Sequence, residues 1–371
     1  MLNNTLAVVS QSGQSLSFFD LATGERTGHL TDLIAEPHEL VYDSKRNLLY
    51  ISHAYEHGLY WSHGEYATQI TVVDCDTRKV VDAIDVLPTK GTHGLMIDEQ
   101  RDLLYASVEA GIPGGTGGII GNDLESRKVV KMIGSDYTSH WFVMTPDGTK
   151  AYTCNKDADF VSIIDLMDEK MTGKIDMPGG CEQPSTSRDG KFAYFPNPGL
   201  SFHDINMPSN PCIKVIDTRT NRVVESIAVD LGMQATYVDI HDRILAAQYR
   251  LAPPEGDQKF TAEDGELQVL SAAAGGYARI GTVPVGKISL TLFASPDGRR
   301  AFVANICSGK FSTRVQLTLS MSISYLSSHL LGTVTVVDMT SMSVERTIDV
   351  DTMPRADKKY HQDAHGLALV P

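Results

Sequence analysis

The chain has 371 residues, 42% of them apolar, enough to build a sizeable core. Its formal charge of −14 with no basic stripe opposes both a nucleic-acid backbone and an anionic membrane surface, so neither partner is expected. The five cysteines are scattered without C-x-x-C spacing, which predicts reduced strand residues rather than a disulfide framework or structural zinc.

A β-rich run from Leu6 to Val9 opens the chain and leads to Phe18-Phe19-Asp20, an apolar pair closed by an Asp and followed by a polar turn. The phrase returns at Val72-Val73-Asp74, Gly121-Asn122-Asp123, Ile163-Ile164-Asp165, Val215-Ile216-Asp217, Val269-Leu270-Ser271 and Val336-Val337-Asp338. Upstream of it stands a second phrase, two β-rich runs around Pro-Asp-Gly, clearest at Met144 to Asn155 and Phe293 to Asn305. Pro presets the turn and Gly accepts a positive φ, so these are hairpins. Each unit therefore predicts four antiparallel strands, and units repeating at this spacing must stack to bury their faces.

The first unit lacks an innermost strand, and the lone run Gly366 to Val370 at the other end matches one. The predicted fold is all-β: a seven-bladed β-propeller, four strands per blade, closed by the C-terminal strand completing the N-terminal blade. One domain is expected over 1–371, with residues 310–331 a Ser- and Leu-rich insertion in the last blade that reads as a lid, a partner surface or translated noncoding sequence. No leader or transmembrane run is evident, which predicts a cytoplasmic protein; a trimmed leader would instead make it secreted.

Aligning the repeats on the residue that opens the second strand (Tyr50, Tyr105, Tyr152, Tyr194, Leu245, Phe302) and stepping back twelve positions, or eleven in the sixth unit, reaches His38, His93, His140, Glu182, Gln234 and Leu290. His365 joins them through the His-Gly-Leu it shares with His93-Gly94-Leu95. Four histidines, a glutamate and a glutamine thus share one register facing the axis, and His38, His93, His140, Glu182, Gln234 and His365 are the candidate catalytic groups. Three residues past the alignment point, His53, Asn155, Asn197, Gln248 and Asn305 are expected to edge the same mouth, with Trp61, Trp141 and Phe142 as further substrate contacts. Alternation points Leu40, Leu95, Phe142, Pro184, Thr236, Leu292 and Leu367 inward one layer deeper, where they should plug the channel and leave a cup.

Several readings of this ring stand side by side. It is a solvated channel wall with no chemistry; or His38, His93, His140 and His365 hold iron, copper or zinc with Glu182 behind them, as a metal-dependent oxygenase would. The third reading, and the one adopted, is hydrogen-bond and acid/base catalysis on a small molecule with no metal or redox cofactor. No G-x-S-x-G, P-loop or G-x-G-x-x-G is present, so a serine nucleophile and a nucleotide cofactor are not expected. A non-catalytic scaffold binding partners through its aromatic loops is the reading from another class.

Tyr152-Thr153-Cys154-Asn155 and Phe302-Val303-Ala304-Asn305, each followed by an apolar pair and Asp, resemble the YVTN-type propeller repeat of lactonase-like and surface-antigen-like proteins. The resemblance spans nearly the whole chain and implies the propeller fold, with a lactonase-like hydrolase among the implied activities. In size and repeat type the chain is also similar to propeller hetero-Diels-Alderases of fungal natural-product pathways. That likeness implies a ring-forming cyclase.

Overall fold

The computed structural model describes residues 4–57, 64–115, 117–155, 158–198, 211–230, 232–252, 259–306, 316–318, 331–352 and 362–371. They form a seven-bladed β-propeller in which each blade is an antiparallel sheet, numbered here in chain order. Blade 2 is typical: Pro37–Asp43 innermost, then Leu48–His53, Gln69–Asp74 and Lys79–Asp85 at the rim. Blade 5 departs most, with an innermost strand of only Ser185–Thr186.

The turn phrase explains itself in the structure. In six blades the Asp that ends the third strand accepts a hydrogen bond from the backbone N–H three residues on: Asp20 from Thr23, Asp74 from Thr77, Asp123 from Ser126, Asp165 from Asp168, Asp217 from Thr220 and Asp338 from Ser341, at 2.7–2.8 Å. The carboxylate replaces a backbone partner at the tightest point of the hairpin, as Asx turns do. The residue after the turn turns left-handed, as at Arg78, Arg127 and Asn221.

Each blade buries both faces. Seven apolar clusters among the described residues fill the seven blade interfaces, from Leu40, Ile51 and Ala368 between blades 1 and 2 to Leu6, Phe19, Phe302 and Val336 between blades 7 and 1. Burying a Phe or Leu this completely stabilises by about 1.5–3 kcal/mol, and no blade gains it alone. Closure comes as expected: Leu367–Val370 pairs antiparallel with Thr5–Ser10, Val8 opposite Leu367 and Thr5 opposite Val370. Asp363 anchors the seam by accepting from the Ser12 hydroxyl (3.0 Å) and backbone N–H (3.2 Å) and from the Ser10 hydroxyl.

Two expectations are corrected or narrowed. Cys154 and Cys181 are joined as a disulfide, against the expectation of reduced strand cysteines. The ring brings the end of a blade 4 strand beside the connector into blade 5, a proximity that a spacing of 27 residues does not reveal. Of the 310–331 insertion, Gln316–Thr318 pairs with Lys259–Thr261 of blade 6, while most of the rest lies outside the described residues.

These turn carboxyls are all held below their ordinary values by hydrogen bonds from the residues that follow. A depressed folded-state value means that the contribution is complete above the unfolded-chain value of about 3.9 and is lost as pH falls through the lower folded values. Thermal melting should therefore hold level from neutral pH to about pH 5 and fall steeply below about pH 4; a melting temperature unchanged down to pH 3 would contradict this role for the repeat Asp.

Candidate functional site

In every blade where an innermost strand carries the axial register, the pairing with the second strand slips at that register. The shift lies between Pro37 and Leu40, Thr92 and Leu95, Ser139 and Phe142, Met233 and Ala235, and Ser289 and Thr291. His38, His93, His140, Gln234 and Leu290 thus sit in bulges, which release a residue from strict alternation and aim its side chain. Serines brace two of them: Ser52 Oγ accepts the Glu39 N–H and Ser107 Oγ the Gly94 N–H, each at 2.9 Å.

The bulges bring four imidazoles together. Ring centroids are 4.3 Å apart for His38 and His93, 4.4 Å for His93 and His140, and 4.3 Å for His38 and His365, all edge to face. His38, His93 and His365 are buried, and His140 is half-buried. His365 is delivered by the closing strand, its N–H bonded to Val9 O at 3.0 Å. Gly366 is required next to it, because a Cβ there would stand 2.9 Å from Glu39 Cα and from the His38 carbonyl oxygen.

Every ring faces a carboxylate. Glu39 Oε1 is 3.0 Å from His365 Nδ1 and 3.6 Å from His38 Nδ1. Glu109 pairs with His93 Nε2 and accepts the Tyr55 hydroxyl at 3.0 Å. Glu182 Oε2 lies 3.6 Å from His140 Nδ1. Burial, reinforced by the neighbouring His365 and His93, pushes His38 well below the ordinary imidazole value. For His365 burial acts in the same direction, but the Glu39 carboxylate overrides it and the net shift is upward. Burial would raise Glu39, yet its two imidazole partners hold it below the usual carboxylate range. The shifts favour charge on Glu39 and His365 and oppose it on His38.

Beyond this layer the axis opens rather than closing. The apolar positions expected to plug the channel instead line a cavity of about 550 Å³, with Leu40, Leu95, Phe142, Pro184, Leu292 and Leu367 in its wall. It runs to Ser44, Glu99 and Pro296 in the turns at the other end of the innermost strands. Blade 5 contributes Gln183, Pro184, Ser185 and Thr186 there, with the Gln183 amide bonded across to the Leu292 backbone rather than filling the centre. Trp141 and Phe142 line the wall, and Glu39 belongs to both the cavity and the imidazole cluster.

No family model matches the chain, and no curated protein does. Among solved structures it is similar over 99% of both chains to a functionally unknown protein from Desulfotomaculum acetoxidans, with TM-score 0.65 and 12% identity. Hydrazine synthase of Kuenenia stuttgartiensis matches 84% of this chain and 79% of its own, with TM-score 0.59 and 16% identity. At such identities the likeness is one of fold alone: the seven-bladed propeller.

The second polar tier is not at a mouth. His53 is fully buried with Nε2 2.8 Å from Thr71 Oγ1, and burial pushes its value down to about 3. Asn155 donates to Phe160 O at 3.0 Å and to Ser162 Oγ at 2.9 Å, Asn197 to Pro178 O and Gly180 O, and Asn305 to Val303 O and Thr335 Oγ1. They bind backbone and hydroxyl groups where the second strand peels into its loop, and Gln248 is likewise buried. The Gln234 side chain and Trp61 lie outside the described residues.

Sequence reasoning missed Glu39, Glu109 and Thr291. Thr291 lines the cavity, 4% exposed, and its hydroxyl has no hydrogen-bond partner among the described residues. Strict alternation points Glu39 and Thr291 away from the axial register, and only the bulges turn them. The adjacency His38-Glu39 was the one signal available.

The fit at Gly366 can be measured directly. Gly366→Ala should lower unfolding free energy by about 1–3 kcal/mol through overpacking, whereas Gly115→Ala, whose Cβ would meet nothing within 4 Å, should leave it unchanged. Equal stability of the two variants in denaturant titrations would show that the closing strand does not press on Glu39.

Proposed function

We propose that this chain is an enzyme that folds a small, largely apolar molecule inside the axial cavity and closes a ring in it, as a hetero-Diels-Alder type cyclase. The observation that carries the reading is a roomy apolar cavity of about 550 Å³ with one buried, unpartnered hydroxyl in its wall, that of Thr291, and a carboxylate at its inner end. Its volume falls in the range of small-molecule sites.

In such a cycloaddition two σ bonds form from π bonds, nothing leaves and no electrons are taken up. The protein then needs only to hold heterodiene and alkene in one reactive geometry and to polarise the heterodiene oxygen. Thr291 donates its hydroxyl to that oxygen. Leu95, Phe142, Leu292 and Leu367 hold the hydrocarbon, and Trp141 covers it. Glu39, backed by His365, accepts a hydrogen bond from a substrate hydroxyl at the inner end of the cavity, with His93, His140 and Glu182 completing the polar floor. The resemblance of the repeats to the YVTN type and to fungal propeller cyclases supports the same assignment.

The test is incubation with a precursor of an ortho-quinone methide and a terpene alkene, with products resolved by chiral chromatography. The wild-type protein should yield one stereoisomer above background. Thr291→Val should slow turnover roughly tenfold, the loss of one hydrogen bond of about 1–1.5 kcal/mol, and Leu292→Trp should abolish it by filling the cavity. Racemic product at the uncatalysed rate, or full activity in Leu292→Trp, would remove the reading.

A further inference from the structure

We infer that the axial imidazole cluster is a binding site for a single divalent transition-metal ion, ligated by His38, His93 and His140. The inference stands on the cluster geometry and not on the ring-closing reaction. One potential ligand atom from each of these three side chains lies within 4.8 Å of the other two. Nitrogens at about 2.0–2.1 Å around a tetrahedral ion stand roughly 3.3 Å apart, so the rings need to draw in by no more than about 1.5 Å, a matter of side-chain rotation.

The carboxylates behind the rings supply the second, independent observation. Imidazoles that bind metal typically give their other ring nitrogen to a carboxylate, which fixes tautomer and orientation. Here Glu109 pairs with His93 Nε2. Glu182 and Glu39 lie beside Nδ1 of His140 and His38, each at 3.6 Å. Two of the three backing groups are themselves tied down: Glu109 by the Tyr55 hydroxyl and Glu39 by His365. A row of imidazoles from three successive blades, each with a carboxylate beside it, is more than a solvated channel wall requires.

The donor set narrows the ion. Three imidazoles suit zinc, copper, iron or nickel rather than calcium or magnesium. Three protein ligands also leave a coordination position open, the pattern of a catalytic rather than a structural site. An ion held there would polarise a carbonyl or hydroxyl oxygen brought to it.

The experiment uses the full-length protein stripped with a chelator, then titrated with Co²⁺ while visible absorption is followed, with Zn²⁺ as the competitor and elemental analysis for stoichiometry. One cobalt per chain, displaced by one zinc, is expected. His93→Ala and His140→Ala should each weaken binding roughly 100-fold or more, and Glu182→Gln roughly 10–100-fold. His29→Ala, on the third-to-rim hairpin of blade 1 where the ring meets Ser17, should change nothing. His140 is only half-buried, so its variant should remain folded even if that of His93 does not. Folded wild-type protein that takes up neither ion, or binding that survives both histidine substitutions, overturns the inference. Metal binding without ring closure would sink only the cyclase reading, and ring closure by protein that binds no metal would sink only this one.

Discussion

The structure depends on one constraint: every blade is a sheet with two apolar faces, and each face is covered only by the next blade. An open stack would leave two such faces in water, so the sheets must come round on themselves. The strand that completes blade 1 is therefore more than a fastening. It supplies Leu367 and Leu369 to the cluster between blades 7 and 1 and Ala368 and Val370 to the cluster between blades 1 and 2. It also carries His365 to the axis, so the interaction that closes the fold completes the imidazole cluster. Loosening the seam would disturb both together.

Closure of this kind has a geometric consequence. Equivalent positions of successive units must point at a common centre, whatever residues occupy them, which is why counting from the Tyr of each second strand located His38, His93 and His140 without coordinates. The fold, the closing strand, the turn Asp and the axial register were legible because each is a repeated local pattern, and repetition averages out local noise. The Asx turns show this best: one side-chain oxygen, one N–H three residues on, six times over.

What was not legible lies where the repeat is broken locally or where distant segments meet. Glu39 and Thr291 were invisible because alternation assigns them to the wrong face, and a bulge is a departure from alternation with no strong sequence marker. Asn155, Asn197 and Asn305 were placed at a mouth because their register is shared. Their shared role is instead to satisfy groups left unpaired at a strand end, a need that every blade has. The Cys154–Cys181 link and the Tyr55–Glu109–His93 relay join different blades or different strands of one blade, and no spacing rule encodes them.

The axis is divided chemically along its length, and the division follows from the same bulges. Above them, side chains released from alternation gather imidazoles and carboxylates; below them, regular strands resume and present Leu, Phe and Pro. Burying so many titratable groups is costly unless they are paired, and here each imidazole has a carboxylate, with Glu39 serving two. Such pairing offsets the cost of burial at each ring. A polar network held this firmly against an apolar chamber has a gradient of polarity built into it. On the proposed reading, a molecule with a hydrocarbon body and one oxygenated end would enter in one orientation, with its oxygenated end toward Glu39.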